Sequence, residues 1–325
     1  MGTNNFMNME CPLCDSNALS IGESFKEFNL ITCSSCRVQF WHPLVSDHSF
    51  YEHSDMYVFE KKRKLGWNHK LFFKKYKKYK NGGKKLLDIA FGQGEFLGVA
   101  NKKGFEVCGI DWQRRNVEMV MFNWKLKNVF CKSIEDIVVE KIGTFDFITA
   151  FELIEHLQNP KILLDAVKRN LASGGVFILS TPNALRYGGV VEIWDYPPNH
   201  LFRFSKNSLI SFLERNNFKV EEIVEEPLNV DFFLNRFSNT SIMQFLRKQK
   251  GVSLEKGIGP VSIDSDFNSK KNENNIKKAM IKMFFKKART IKDVLFKIIL
   301  WLPIEILRLI GKKYWGMIII AKLKS

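Results

Sequence analysis

The chain has 325 residues, 45% of them hydrophobic, and a formal net charge of +16; that length can bury a full α/β core and still carry a small module at each end. The charge argues against a uniformly basic clamp for nucleic acid, though not against a local patch: residues 61–85 hold twelve Lys or Arg and no acid, residues 270–325 hold fifteen against three, and the remainder is mildly acidic. The opening MGTNNFMNMEC has no basic n-region, no apolar stretch and no Ser or Thr placed for myristoylation, which puts the protein in the cytosol, where its six cysteines are metal ligands or buried thiols rather than disulfides.

The first element, over residues 1–45, is a metal ribbon. Cys11, Cys14, Cys33 and Cys36 form a C-x2-C-x18-C-x2-C frame, in which each CxxC aims two thiolates at one ion and two such knuckles close a tetrahedron. Four sulfur ligands leave no coordination position for water, so the ion expected is structural Zn2+. Cys108 and Cys131 fall in apolar strand-like runs and read as core residues. The aromatic stretch FWHPLVSDHSFYEHSDMY comes next and could dock the ribbon onto the following domain. Its histidines, His42, His48 and His53, lack regular ligand spacing. Residues 46–83 are a basic and aromatic connector, and 61–80 read as an amphipathic helix with Trp67, Phe72, Phe73, Tyr76 and Tyr79 among lysines.

From residue 84 apolar strands alternate with amphipathic helices, the pattern of a parallel sheet wrapped by helices. The strands read KKLLDIA, EVCGI, KNVFCK, TFDFITA, GGVFILST and KVEEIVEE, with a seventh, YWGMIII, at the end. LLDIAFGQGEFLGVA (86–100) is a strand-to-helix turn with close-set glycines, which serves dinucleotides and S-adenosylmethionine alike. Gly92, Gly94 and Gly98 make GxGxxxG rather than GxGxxG, and the spacing leaves the choice of ligand open. Asp111 ends the second strand about twenty residues past the glycines, where an acid accepts ribose hydroxyls from either nucleoside.

FDFITAFELIEHLQNPKILLDAVKRNLASGGVFILSTPNA, taken with LLDIAFGQGEF, GIDW and HLFRFSKNSLISFLERNNFKV, resembles class I S-adenosylmethionine-dependent methyltransferases. The likeness is to the branch that includes ubiquinone-biosynthesis O-methyltransferases and enzymes of polysaccharide and antibiotic pathways, and it covers roughly residues 84–225. The ribbon followed by F-W-H-P also resembles a zinc-bearing subset with sugar C-methyltransferases in it. The resemblance implies an α/β fold, a Rossmann-like seven-stranded class I methyltransferase sheet, with an N-terminal zinc ribbon and a helical C-terminal insertion. It implies S-adenosyl-L-methionine as cofactor: Asp88 accepting from its amino group or ordering the loop, Gly92 and Gly94 letting backbone approach, Asp111 taking the ribose, Trp112 beside the adenine, Ser133 at the adenine edge, and Phe151 and Glu152 lining the pocket. It also implies that the basic helix at 61–80 is a lid over the cofactor; its lysines and aromatics alternatively read as a surface for an anionic substrate or membrane.

Two departures from the family stand out. The usual first glycine of D-x-G-x-G is Ala90, whose Cβ is tolerable if φ is negative. The H-E-H of the sugar C-methyltransferases is reduced here to Pro198, Asn199 and His200, which weakens a C-methylation reading. His156, in ELIEHL, and His200, in DYPPNHLF, are the two candidates for catalytic base, with Asp195 and Glu192 behind them.

The methyltransferase core is expected over 84–226, a helical insertion over 227–313 with a flexible linker at about 250–275, and a final strand and tail over 314–325. VLFKIILWLPIEILRLI has 17 residues with Lys297, Glu305 and Arg308 inside it, too short and too charged to span a bilayer. It fits a helix pair kinked at Pro303, lying on the inner face of a membrane or packed on the core. The reading is methyl transfer to a hydroxyl of a sugar, glycan precursor or similar small molecule, with a lipid-linked acceptor the attractive choice if the tail meets membrane. The alternatives are a sugar C-methyltransferase, a quinone-precursor O-methyltransferase, an RNA methyltransferase and a binding module that has lost catalysis. Base methylation of RNA is disfavoured, because FELIEH carries no [ND]PP[YF] clamp and no Pro-Cys nucleophile appears.

Overall fold

The computed structural model of the protein describes residues 9–46, 64–79, 82–186, 191, 195–227 and 313–324. His48, His53, the first residues of the basic stretch at 61–63, Glu192, the linker at 250–275 and the helices around Pro303 lie outside them. The chain divides into two compact units, Met1–Glu226 with Lys313–Ser325, and Pro227–Lys312; the first holds the two sheets.

In chain order the strands are β1 (Leu19–Phe25), β2 (Phe28–Cys33) and β3 (Gln39–His42), then β4 (Lys85–Ile89), β5 (Glu106–Asp111), β6 (Val129–Cys131), β7 (Phe145–Phe151), β8 (Leu171–Pro182), β9 (Phe202–Arg203), β10 (Phe218–Pro227) and β11 (Lys313–Leu323). The helices are α1 (Trp67–Tyr79), α2 (Glu95–Lys102), α3 (Arg114–Trp124), α4 (Ile134–Val139), α5 (Lys161–Asn170) and α6 (Lys206–Arg215), with a 3-10 turn at Ile154–His156.

The large sheet has the order β10-β11-β8-β7-β4-β5-β6. Strands β4 to β8 are parallel and β11 enters antiparallel beside β8. All seven strands expected from the sequence are present. Parallel strands are covered on both faces, so they read as near-continuous apolar runs whose alternate residues serve different layers. Leu87, Ile89, Ile148, Ala150, Phe177, Leu179, Met317 and Ile319 join the apolar cluster built with α4, α5, α6 and the ribbon. Their neighbours Leu86, Phe147, Val176, Ile178, Ile318 and Ile320 join the cluster built with α1, α2 and α3. Helix α1 packs by its aromatics: Phe72 meets Phe96 and Phe105 with ring centroids 5.0 and 5.7 Å apart, while Lys75, Lys78 and Tyr79 all bond Glu222 of β10.

Two expectations need correction. The strand expected at GGVFILST begins earlier, at Leu171, and the Ser-Gly-Gly segment is a bulge within it. Leu171 already pairs with Phe145, pairing resumes at Val176 opposite Phe147, and Gly174 takes up the slack at φ 70°. Cys131 is exposed, because β6 is a three-residue strand at the edge of the sheet, with no neighbour beyond it among the described residues. Cys108, on the interior strand β5, is buried, and burial pushes its thiol up to about 11.

The ribbon is a second sheet, ordered β1-β2-β3-β9. Both of its knuckles turn alike: the Asp15 N–H donates to Cys11 O at 2.9 Å and the Arg37 N–H to Cys33 O at 2.8 Å, with φ 59° and 61° at the two residues. Strand β9 comes from beyond the core strand β8, pairing Arg203 with Gln39 and Phe202 with Phe40. Ribbon and core therefore share one sheet and one apolar cluster. Among the described residues no helix is long and apolar enough to cross a membrane.

Candidate active site

The carboxyl ends of β4, β5, β7 and β8 meet at one edge of the sheet, where open α/β folds bind ligands. Strand β4 runs through Asp88 into the turn that ends in α2. The Ala90 N–H donates to Ile110 O at 2.8 Å, tying the turn to β5. Ala90 sits at φ 60°, in the left-handed region, so the tolerance expected at negative φ does not apply. A Cβ there costs about 1–2 kcal/mol. Ala90→Gly should therefore stabilise the chain by a net 0.5–1 kcal/mol or so, after the larger entropy of an unfolded glycine is subtracted. Urea midpoints measure this, and cofactor affinity is expected to stay at least equal.

Gly92 has φ 56° and open space where a Cβ would stand, whereas a Cβ on Gly94, at φ 75°, would come within 2.3 Å of Val120. The first leaves room for a ligand, and the second lets α2 approach α3. The Asp111 carboxylate accepts from Gly92 N at 2.9 Å, Gln113 N at 2.9 Å and Asn116 Nδ2 at 3.1 Å. A carboxylate offers about four acceptor positions, so capacity remains for a hydroxyl. Burial raises the Asp111 pKa against those three hydrogen bonds. Asp88, 3% exposed, accepts from Thr149 Oγ1 at 2.6 Å. Burial pushes it up to about 8, with the Thr149 bond opposing and the Asp111 charge adding. Gln93 Oε1 is buried without a partner. Two costly acids and an orphan acceptor beside an open glycine turn suit a cationic nucleoside such as S-adenosylmethionine and oppose a pyrophosphate.

Trp112 is 37% exposed beside Asp111. Ser133 has another occupation: its hydroxyl accepts from Asp136 N, and its own N–H donates to the Asp136 carboxylate, forming the capping box of α4. Phe151 meets the ring edges of His69 and Phe96, with both centroids 4.9 Å away. Glu152, at φ 50°, accepts from Ser180 Oγ at 2.6 Å, and Ser180 Oγ accepts from Asn68 Nδ2 at 2.9 Å. His69, Asn68 and Ser180 were missed in the sequence. The first two stand at the start of the amphipathic helix, where the lysine pattern masks them.

On the other side of the β7 exit stand the two histidines. His156 Nδ1 lies 2.6 Å from Asn199 O; a carbonyl only accepts, so Nδ1 carries the proton and Nε2 the lone pair. His200 Nδ1 lies 3.3 Å from Asp195 Oδ1, which assigns the same tautomer. The rings meet edge to face at 4.8 Å, and Glu155, His156 and His200 bring one polar atom each within 4.8 Å of one another. Burial, then the neighbouring His200, depresses His156 to about 3. Burial also lowers His200, against the pull of Asp195. Glu155 is 1% exposed, neither carboxyl oxygen has a hydrogen-bond partner, and burial raises its pKa well above the usual range. Asp195 is clasped by Arg186, with Arg203 Nε at 3.6 Å.

Because the His156 pKa is lower folded than unfolded, the unfolded chain takes up a proton as pH falls below 6.5 while the folded chain does not. Stability must fall through that window, toward a limiting slope of about 1.4 kcal/mol per pH unit. His156→Gln, which cannot charge, should show a flatter urea-midpoint profile between pH 7 and 5; parallel profiles would contradict the assignment.

The four ribbon cysteines also converge. Their sulfurs lie within 4.8 Å of one another, with Cys11–Cys36 and Cys14–Cys33 both at 3.6 Å and none in a disulfide. A tetrahedral zinc with bonds of about 2.3 Å requires sulfurs about 3.8 Å apart, so the site fits that ion.

Residues 59–223 match the family model described as "Methyltransferase domain". The ubiquinone biosynthesis O-methyltransferase of Psychrobacter arcticus is 32% identical over 107 residues, which are 31% of this chain and 42% of that protein. The one from Chromobacterium violaceum is 30% identical over 105 residues, 31% and 45% of the two chains. The match thus spans less than half the length of these relatives. Among solved structures, a SAM-dependent methyltransferase from Archaeoglobus fulgidus is 19% identical, covering 79% of this chain and 95% of its own at a TM-score of 0.45. An O-methyltransferase from a Brevibacillus brevis trans-AT PKS multienzyme, in complex with S-adenosyl-L-homocysteine, is 13% identical and covers 79% and 71% at 0.45.

Proposed function

From the premise that the chain belongs to the methyltransferase domain family, we propose that it transfers a methyl group from S-adenosylmethionine to a hydroxyl of a sugar, glycan precursor or similar small molecule. The observation that carries this reading is His200: Asp195 holds its Nδ1–H, so Nε2 presents a lone pair, and burial keeps the ring neutral at neutral pH. A neutral imidazole braced by a carboxylate is the arrangement that accepts a hydroxyl proton.

When bound, the cofactor supplies a methyl group on a positively charged sulfur. Asp111 would take the ribose, Asp88 and the Gly92 turn would hold the amino-acid end, and Trp112 would lie beside the adenine. Ser133, which caps α4, keeps its O–H free to donate toward the adenine edge. Phe151 and His69 exclude water beside the transfer point. Bound here, the cofactor would give up its methyl to the acceptor oxygen, and its sulfur would keep the electron pair of the carbon–sulfur bond. The hydroxyl proton passes to His200 Nε2, with His156 and the buried Glu155 alongside. Zn2+ held by Cys11, Cys14, Cys33 and Cys36 is structural in this reading.

The names of the matched relatives favour a second acceptor, a hydroxylated quinone precursor. Incubating the full chain with methyl-labelled S-adenosylmethionine and a panel of sugars and phenols separates the two. Label in phenols alone would sink the sugar reading. No cofactor heat by calorimetry from folded protein would sink both.

A further inference from the structure

The acceptor-side loop is held from two directions. From the core, Leu201 N donates to Glu155 O at 2.8 Å and His156 holds Asn199 O. From the ribbon, Trp41 Nε1 donates to Asp195 O at 2.8 Å and the Trp41 N–H donates to Leu201 O at 2.9 Å. Gln39 Oε1 accepts from Arg203 Nη1 at 2.8 Å, and Arg203 in turn faces Asp195. Tyr196 adds a hydrogen bond to Glu23 of β1 and packs at a tilt against Phe25 and Trp41, with centroids at 4.3 and 5.5 Å. Trp41 has no exposed surface, and Asp195 is 1% exposed. A metal ribbon needs none of this to fold around its ion; these bonds run to the residues that fix His200.

We infer that the ribbon positions the acceptor-side histidine: Trp41 and Gln39 are positioning residues that hold Asp195, and through it the Nδ1–H tautomer and orientation of His200. The two ribbon contacts act on different atoms of one carboxylate residue. Trp41 fixes the Asp195 main chain, and Gln39 fixes the guanidinium that balances its side chain. Removing either should let the loop rotate away from His200 without touching the glycine turn, which lies between β4 and α2. The meaning of this placement for catalysis rests on His200 being the base, but the placement itself is tested without any acceptor.

The experiment uses the full chain labelled with 15N-histidine at pH 7.5, His200 being assigned by its absence from His200→Gln. Ring-nitrogen shifts report the tautomer directly. Trp41→Phe keeps ring bulk and loses the indole donor; Gln39→Leu loses the acceptor; Gln39→Glu keeps it. The wild type and Gln39→Glu should show His200 predominantly as the Nδ1–H form. Trp41→Phe and Gln39→Leu should show a mixture of the two tautomers, with S-adenosylhomocysteine affinity by calorimetry within about twofold of wild type, since one lost neutral hydrogen bond acts only locally. Should Trp41→Phe not fold, the Gln39 pair decides. A His200 spectrum unchanged in either folded variant overturns the inference. Absence of S-adenosylhomocysteine binding in the wild type would instead overturn the methyltransferase reading and leave the tautomer result standing.

Discussion

Cys33→Ser is expected to remove the bound metal entirely and to destabilise the chain by more than about 4–5 kcal/mol, the range reached when a structural metal is lost. Cys33 has no exposed surface, and its neighbours Ile31, Val38 and Phe40 belong to the same apolar cluster as Leu201, Phe202, Phe204 and Leu209 of the core. Loss of the ion thus frees β2 and β3, and with them the partner of β9. Metal content by plasma emission should fall from one zinc per chain to none, and the urea midpoint should drop together with it. A strong chelator acting on the wild type should reproduce the change. A Cys33→Ser chain as stable as wild type would show that the fold does not depend on the ion. A wild type that purifies with less than a tenth of an equivalent of zinc and is indifferent to the chelator would show that the cysteines hold none.

His200→Gln is expected to slow methyl transfer by about 10²–10⁴-fold, the usual contribution of a general base, with cofactor affinity unchanged. Glutamine keeps a donor toward Asp195 and so spares the buried contacts of Arg186 and Arg203, whereas replacing Asp195 would leave two guanidiniums without their common partner. The pH dependence follows from the direction of the His200 shift. The reactive form is neutral, and its pKa is lowered, so the wild-type rate should hold through neutrality and fall only as pH drops below the ordinary imidazole value of about 6.5. The variant should lack that acid limb. An unchanged rate in folded, cofactor-binding His200→Gln would transfer the base role to another group, with His156→Gln the next to measure.

The sequence carries its local structure well. The seven core strands and the paired CxxC knuckles are legible because period, turn residues and ligand spacing act over a few neighbouring positions. The series of blocks from LLDIAFGQGEF to TPNA likewise points to the family. The same local view fails at Ala90, where φ is set by the bond to Ile110 O on the next strand. It fails at Cys131, whose apolar run lies on a sheet edge.

The pairing of Trp41 with Asp195, 154 residues apart, has no trace in either segment alone, nor does the entry of β9 into the ribbon sheet. Composition, periodicity and cysteine spacing, with the ordered blocks of the family, determined that this is an α/β methyltransferase core with a four-cysteine ribbon. Only the tertiary structure decided that ribbon and core hold the acceptor-side histidine jointly. The reason is physical: hydrogen-bond partners and tautomers depend on which distant surfaces are brought within about 3 Å, and no local repeat encodes that distance.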